Sequence, residues 1–264
     1  MGAWVALSRK EHLVSRCRPR EGFEFAASRQ VIPVILAEVV KLVPHYVTGF
    51  VESDDGSYQL VALVGVGGHR NLYVNKASQW LCNYVPASLR AYPFTLLNDA
   101  DGKKVLCVDE DYLSEDESLP RIFEDDGTLS KGAADTLEFI TKCEQNRLAT
   151  SDVCSALAGA GLIKPWEIAI DRGEDFESAK IDGLHRIDEE KFDSIGADSL
   201  LALRNAGALG LAYAQIFSTA QMEQLTQRAK YLANESSKVP PSSSLENLFS
   251  SDDSGSLNFD ALDS

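Results

Sequence analysis

Apolar positions change their period along the chain, and the changes mark out its elements. Between Pro33 and Pro44 the residues Leu36, Val39, Val40 and Val43 recur at helical spacing, with Pro33 suited to a first helical position and Pro44 to a stop. Only Glu38 and Lys41 interrupt the apolar circumference of this segment. A helix apolar on nearly all sides is expected to be buried. On either side of it the pattern is strand-like. Trp4 to Leu7, His12 to Ser15 and Phe23 to Ala26 read as short strands. Tyr46 to Glu52 and Tyr58 to Val66 read as an antiparallel hairpin across Ser53-Asp54-Asp55-Gly56-Ser57, where Gly56 can take positive φ. Gly67-Gly68 then turns the chain into Asn71 to Val74. Thr95 to Leu97 and Lys104 to Val108 form a second hairpin, and Pro86 opens a helical turn that ends before Pro93.

Beyond Asp126 the period becomes helical. Ala133, Leu137 and Ile140 mark a helix over Gly132 to Leu148, and Thr150 or Ser151 caps a second one ending at Gly159 to Gly161. Trp166 to Ile170 and Ile181 to Arg186 form a strand pair. A run of helices follows from Asp188, with Gly207 as a break. Leu209, Tyr213, Ile216 and Phe217 make one apolar stripe, and Met222, Leu225 and Leu232 another. Ser218 with Gln221 fits a capping box for the last helix. The pattern therefore predicts an α+β fold: a mostly antiparallel N-terminal sheet with one buried helix over residues 1–126, then a helix-rich half with a short strand pair over 127–233. After about Asn234 the Pro-Pro-Ser-Ser-Ser run and six acidic residues against Lys238 predict a disordered acidic tail over 234–264. Leu248, Phe249, Phe259 and Leu262 within it, interleaved with acidic residues, fit a docking peptide for a protein or peptide partner.

Composition narrows the function. The chain has 264 residues, 44% of them apolar, and a formal net charge of −15. That is enough apolar material for a sizeable core, and the negative field disfavours nucleic acid or an anionic membrane. From Asp99 to Asp126 eleven acidic residues face three basic ones, which reads as a solvated connection. No apolar run has the length of a signal or spanning segment, and the five cysteines lack metal-type spacing, so a cytoplasmic protein with reduced thiols is expected.

Recognisable catalytic motifs are missing. Gly65-Val66-Gly67-Gly68-His69-Arg70 follows an apolar strand but has Arg70 at the third glycine position of a dinucleotide loop and leads into another strand-like run, so a tight turn is the better account. Asp99, Asp101 and Gly102 lack the flanking ligands of a calcium loop. The four histidines are scattered and no metal or cofactor is expected. Cys82, beside Trp80 and Tyr84, fits core packing better than nucleophilic chemistry. What remains is an aromatic patch. Trp80, Tyr84 and Tyr92 with Arg90 supply flat apolar faces, hydroxyl groups and a bidentate cation, and Glu38 is a carboxylate in apolar surroundings with Arg90 or Lys41 as its candidate cation. A salt bridge beneath an aromatic core and a ligand site built from Glu38, Trp80, Tyr84, Arg90 and Tyr92 are both open readings.

The string Tyr84-Val85-Pro86-Ala87-Ser88-Leu89-Arg90-Ala91-Tyr92-Pro93-Phe94, with Ile32-Pro33-Val34, Glu38, Asn71-Leu72-Tyr73-Val74 and Trp80, resembles the SapC family of bacterial proteins. Gly183-Leu184, Ile187-Asp188, Gly207-Ala208-Leu209 and Tyr213 to Ser218 extend the resemblance over nearly all of residues 1 to 230. It implies an accessory protein without an established reaction, from a family named after a surface-layer locus; some members are encoded near halogenase-like proteins, cupin-like oxygenases and outer-membrane receptors. Three functions follow as expectations. The first is a non-enzymatic accessory protein holding a peptide, protein or small anionic ligand. The second is an enzyme of proton transfer or peptide modification working through Glu38, Arg90 and Tyr92. The third is a structural surface-layer component.

Overall fold

The computed structural model describes residues 2–66, 70–170 and 178–237. The chain runs β1 (Trp4–Ala6), α1 (Arg9–His12), β2 (Arg16–Cys17), β3 (Val31–Pro33), α2 (Val39–Leu42), β4 (Val47–Glu52), β5 (Tyr58–Leu63), α3 (Ala87–Arg90), β6 (Phe94–Asn98), β7 (Lys104–Asp109) and β8 (Leu113–Ser114). It continues through α4 (Lys131–Gly159), β9 (Ile163–Pro165), β10 (Ile168–Ile170), β11 (Ala179–Ile181), β12 (Leu184–Ile187), α5 (Glu189–Asp193), α6 (Ala197–Asn205), α7 (Ala208–Ser218) and α8 (Met222–Ser237). Antiparallel sheets followed by a helix-rich half make this an α+β fold, as the pattern predicts.

The largest sheet has the order β3-β5-β4-β12-β9 and a second one β1-β7-β6, while β2–β8 and β10–β11 form two-stranded pairs. The expected pairing of 166–170 with 181–186 is thus split, β10 pairing with β11 and β12 joining the largest sheet. The β4–β5 hairpin pairs Val47 with Leu63 through Glu52 with Tyr58. Its turn uses Gly56 at φ 77°, a left-handed conformation that glycine takes without a Cβ penalty. On its other side β4 pairs with β12, so the sheet takes strands from both ends of the sequence. Gly49 permits that approach, because a Cβ there would lie 2.9 Å from the His185 carbonyl oxygen. The principal core lies between this sheet and the helices, built from Leu42, Tyr46, Phe50, Leu60, Leu63, Leu157, Leu211 and Leu225 among others.

Several local expectations are corrected. His12 lies in the helical turn α1, and Phe25 lies in a single 3-10 turn, Glu24–Ala26. The first turn of α1 is capped by Ser8, whose hydroxyl accepts from the Glu11 N–H, a local bond that competes with extended backbone. Asn71 to Val74 makes isolated bridges rather than a strand. Pro33 ends β3 instead of opening a helix, and helical structure is confined to Leu36–Glu38 and α2. This short helix is not buried all round, since Val40 is 85% exposed. The acidic stretch is more than a connection: Val108, Ile122 and Phe123 join Cys17 and Ala133 in a second apolar cluster.

Helix α4 runs unbroken for 29 residues, about 43 Å at the usual rise, where the sequence suggests two helices. Thr150 lies inside α4 and does not cap the start of a second helix there. Its hydroxyl donates to the Asn146 carbonyl 2.7 Å away and accepts from the Leu36 N–H at 2.9 Å, while the Asn146 side-chain oxygen accepts from the Ala37 N–H at 2.9 Å. Side chains of α4 thus satisfy the unpaired donors of a different helix start. Gly207 breaks the chain between α6 and α7 at φ 72°, as expected. Yet α7 buries Leu211, Ala212, Gln215 and Ser218 and turns Tyr213 and Phe217 outward, 49% and 63% exposed. Gln215 decides this orientation: its Oε1 accepts from the Ile187 N–H at 2.9 Å and its Nε2 donates to the Thr48 carbonyl at 3.1 Å. Ser218 does not form the expected capping box; its hydroxyl accepts from the Thr48 N–H and donates to the Gln215 carbonyl. The first residues of the tail expected over 234–264 instead continue α8 to Ser237; residues 238–264, with Leu248, Phe249, Phe259 and Leu262, lie outside the described residues, as do the Gly67-Gly68 turn and His69.

Candidate functional site

Glu38 closes the 3-10 turn after β3 and is 3% exposed. Its side chain folds back on its own turn, with Oε1 accepting from the Ile35 N–H at 3.0 Å. Oε2 accepts from the Tyr84 hydroxyl and from the Ala87 N–H, both at 2.8 Å. Ala87 opens α3 just after Pro86, so the carboxylate takes an otherwise unpaired donor at that start as well. Three hydrogen bonds to neutral donors meet the need of a buried carboxylate for polar partners. Neither Arg90 nor Lys41 lies within ion-pair distance, so the expected salt bridge is absent. Burial, then the bond to Glu38, push the Tyr84 phenol above its ordinary pKa, keeping it protonated as the donor.

The other members of the patch separate. Arg90, at the exposed end of α3, stacks over Phe139 at 4.9 Å and Tyr84 at 5.7 Å from the ring centroids. Tyr92 points away from Glu38: its hydroxyl donates to Asp109 Oδ2 at 2.7 Å, and its ring stacks on Phe25 at 3.8 Å. Burial, followed by the bond to Asp109, raises its pKa too. Trp80 donates from Nε1 to the Tyr46 hydroxyl at 2.9 Å and to the Tyr84 carbonyl at 3.1 Å, with its ring stacked on Tyr73. The Tyr46 hydroxyl also donates to the Tyr84 carbonyl. Trp80 and Tyr46 therefore fix the backbone from which Tyr84 reaches Glu38, and play no visible part in a cavity.

A cavity of about 290 Å³ lies beside Glu38, between the start of β5, the start of α3, the strand β6 and one face of α4. Phe139, Cys143, Arg147 and Ser151 line it from α4, together with Tyr58 to Leu60 and Phe94 to Leu96 from the two strands. Charged residues in the lining are Glu38, Glu144 and Arg147. Arg147 grips Glu144 through Nε at 2.8 Å and Nη2 at 3.0 Å, and Lys104 adds a contact at 3.1 Å. The Arg147 hydrogen bonds lead in holding the Glu144 carboxyl down to about 2. Burial raises the Cys143 thiol, with the nearby Arg90 charge acting against it. Arg90 and Tyr92 line a separate hollow with Asp135, Thr136 and Phe139. Glu38, Arg90 and Tyr92 thus share no common cavity, and a proton relay through all three has no geometry to work in.

The SapC family model matches residues 7–225. The chain belongs to the SapC family. No curated protein and no solved structure matches it. Among the described residues of this SapC chain there is no group of three or more His, Cys, Asp or Glu arranged to hold a metal ion, and no single helix is long and apolar enough to cross a membrane. The α4 face is what sequence reasoning missed. Phe139, Cys143, Arg147 and Thr150 follow helical spacing, but the stripe mixes aromatic, thiol, cation and hydroxyl, so no apolar period reveals it.

Proposed function

We propose that this SapC chain is a non-catalytic accessory protein that holds a peptide or protein segment in the cavity beside Glu38. The observation behind this reading is the buried carboxylate in the cavity wall, hydrogen-bonded but without a paired cation. A hollow near the lower end of the size range for ligand sites, walled by aliphatic and aromatic groups interspersed with hydroxyl and charged ones, can hold a small segment with both apolar and polar atoms. Its lining carries two carboxylates against one guanidinium, and the whole chain is acidic. Those charges favour a neutral or cationic group over the small anion that Arg90 suggests from the sequence. A protein partner remains part of this reading, through the segment it inserts.

The test is NMR titration of the isotope-labelled full chain with acetyl-Ala-Lys-Ala-amide and, separately, acetyl-Ala-Glu-Ala-amide. Shift changes confined to the cavity lining, larger for the lysine peptide and lost in Ser151→Phe, are expected. Changes scattered over the surface, or unaltered by filling the cavity, would refute the proposal.

A further inference from the structure

Strand β6 ends its sheet, and its outer edge opens on the same cavity. The register fixes which backbone groups face that way. The Asp99 N–H donates to the Lys103 carbonyl and the Asp109 N–H to the Pro93 carbonyl, so residues 93, 95, 97 and 99 exchange hydrogen bonds with β7. Antiparallel alternation then turns the backbone groups of Phe94, Leu96 and Asn98 away from β7. The Phe94 N–H is taken by the Ala91 carbonyl. Left facing outward are the Phe94 carbonyl and both backbone groups of Leu96 and Asn98, and among the described residues no strand lies on that side.

Edges of this kind are normally blunted by charge, proline or a bulge. Phe94-Thr95-Leu96-Leu97-Asn98 has none of these within it, and Leu97 is 40% exposed. Opposite, the edge of β5 is uncovered at Tyr58. Strand β3 stops at Pro33, opposite Val61, and the last bond on that edge runs from the Val34 N–H to the Leu60 carbonyl. Two incomplete edges therefore flank one cavity, and both Tyr58 to Leu60 and Phe94 to Leu96 line it.

We propose that β6 accepts an extended peptide as an added strand, its backbone pairing with Leu96 and Asn98 while alternate side chains enter the cavity beside Glu38. The proposal rests on the cavity reading and specifies its ligand as a segment of a partner in β conformation. Main-chain pairing supplies affinity in such recognition, and the pocket supplies selectivity through every second side chain. Charge complementarity selects a neutral or basic segment. A matching edge on a second copy of this chain is a different occupant, and the experiment separates it.

The probe is a linear dodecapeptide selected on the full chain from a random display library, with affinity measured by fluorescence anisotropy. The decisive variant is Leu96→Pro. Its lost N–H faces away from β7, so the hairpin keeps its own bonds; Thr95→Pro would break them and serves as the folding control. Expected results are at least tenfold weaker binding to Leu96→Pro with a native circular dichroism spectrum, and slowed amide exchange at Leu96 and Asn98 when wild-type protein binds the peptide. The exchange measurement stands even if the proline variant misfolds. Unchanged exchange at both amides overturns strand addition, as does a selection that yields no binder. Binding lost in Ser151→Phe but kept in Leu96→Pro preserves the cavity reading and overturns strand addition. The reverse pattern preserves strand addition and overturns the cavity reading. A concentration-dependent dimer that Leu96→Pro dissolves, without peptide binding, assigns the edge to a second copy and also overturns the proposal.

Discussion

Replacing Glu38 by glutamine changes one carboxylate oxygen for an amide nitrogen of similar size and removes one of the two oxygens that together accept from three donors. The amide oxygen can serve either the Ile35 N–H or the Ala87 N–H. The amide nitrogen then faces the remaining backbone donor, and donor meets donor in a nearly closed site. A buried donor left without its acceptor costs about 1–3 kcal/mol, so Glu38→Gln should lower the unfolding free energy by about that amount. Alanine strips the acceptors from both backbone donors and from the Tyr84 hydroxyl; two orphaned backbone groups alone predict a loss of roughly 2–6 kcal/mol. Water entering the enlarged cavity reduces that figure, which makes glutamine the sharper variant.

Guanidinium chloride unfolding followed by far-ultraviolet circular dichroism measures both. For a domain of this size the glutamine variant should melt roughly 2–4 °C lower for each kcal/mol lost. Arg90→Ala supplies the contrast. An exposed cation over aromatic rings is worth about 0.5–1 kcal/mol, so this variant should stay within about 1 kcal/mol of wild type. If Arg90 were the partner of Glu38, removing it would strand a buried charge and cost about 3–5 kcal/mol. A near-neutral Glu38→Gln together with a severe Arg90→Ala would refute the hydrogen-bond account and restore the salt bridge.

Other outcomes test the remaining packing and electrostatics. The Glu144 carboxyl is held down to about 2, so its stabilisation is present above the ordinary carboxylate pKa and lost as pH falls from about 5 through 2. With its partners largely in solvent the contribution is roughly 1 kcal/mol; Glu144→Gln should flatten this part of the acid limb, and an unchanged slope in pH-dependent unfolding would exclude the effect. Gln215→Ala should cost about 2–3 kcal/mol by orphaning the Ile187 N–H and the Thr48 carbonyl, whereas Phe217→Ser should stay within about 0.5 kcal/mol; equal losses in chemical unfolding would place α7 the other way round. Burial pushes the Cys17 and Cys154 thiols up to about 11, so both should resist iodoacetamide at pH 8 until the protein unfolds; peptide mass spectrometry showing native-state labelling at either would contradict that burial.

The elements that were legible in the sequence are those whose instructions are local. The β4–β5 and β6–β7 hairpins carry β-rich apolar runs around glycine-containing loops, and Gly207 forces a break that any α-helical period would otherwise bridge. The readings that failed depended on distant partners. Thr150 has the chemistry of a helix cap and is one, but for the backbone at Leu36, more than a hundred residues away. Ser218 looks like half of a capping box, yet its hydroxyl serves the Thr48 N–H on the strand that α7 packs against. In α7 the larger side chains imply a buried stripe through Tyr213 and Phe217. Two backbone groups on β4 and β12 need the Gln215 amide, and meeting that need rotates the helix so that a polar residue lies inside and two aromatics lie outside.

The same distinction explains what could be read of the site. Glu38 is conspicuous as a carboxylate in an apolar run, and it is indeed buried. Its partner was not legible, because the search for a cation assumes that a buried negative charge needs a positive one. Backbone N–H groups at helix starts serve as well, and Ala87 supplies one because Pro86 sets the chain into a new turn there. This substitution of amides for a cation has a consequence for binding. Arg90 is left to stack on Tyr84 and Phe139, and the carboxylate sits in the cavity wall without a cation beside it. An occupant must therefore accommodate an acidic side chain in the wall, and an extended segment with a neutral or basic side chain opposite Glu38 meets both that demand and the hydrogen-bonding demand of the β6 edge.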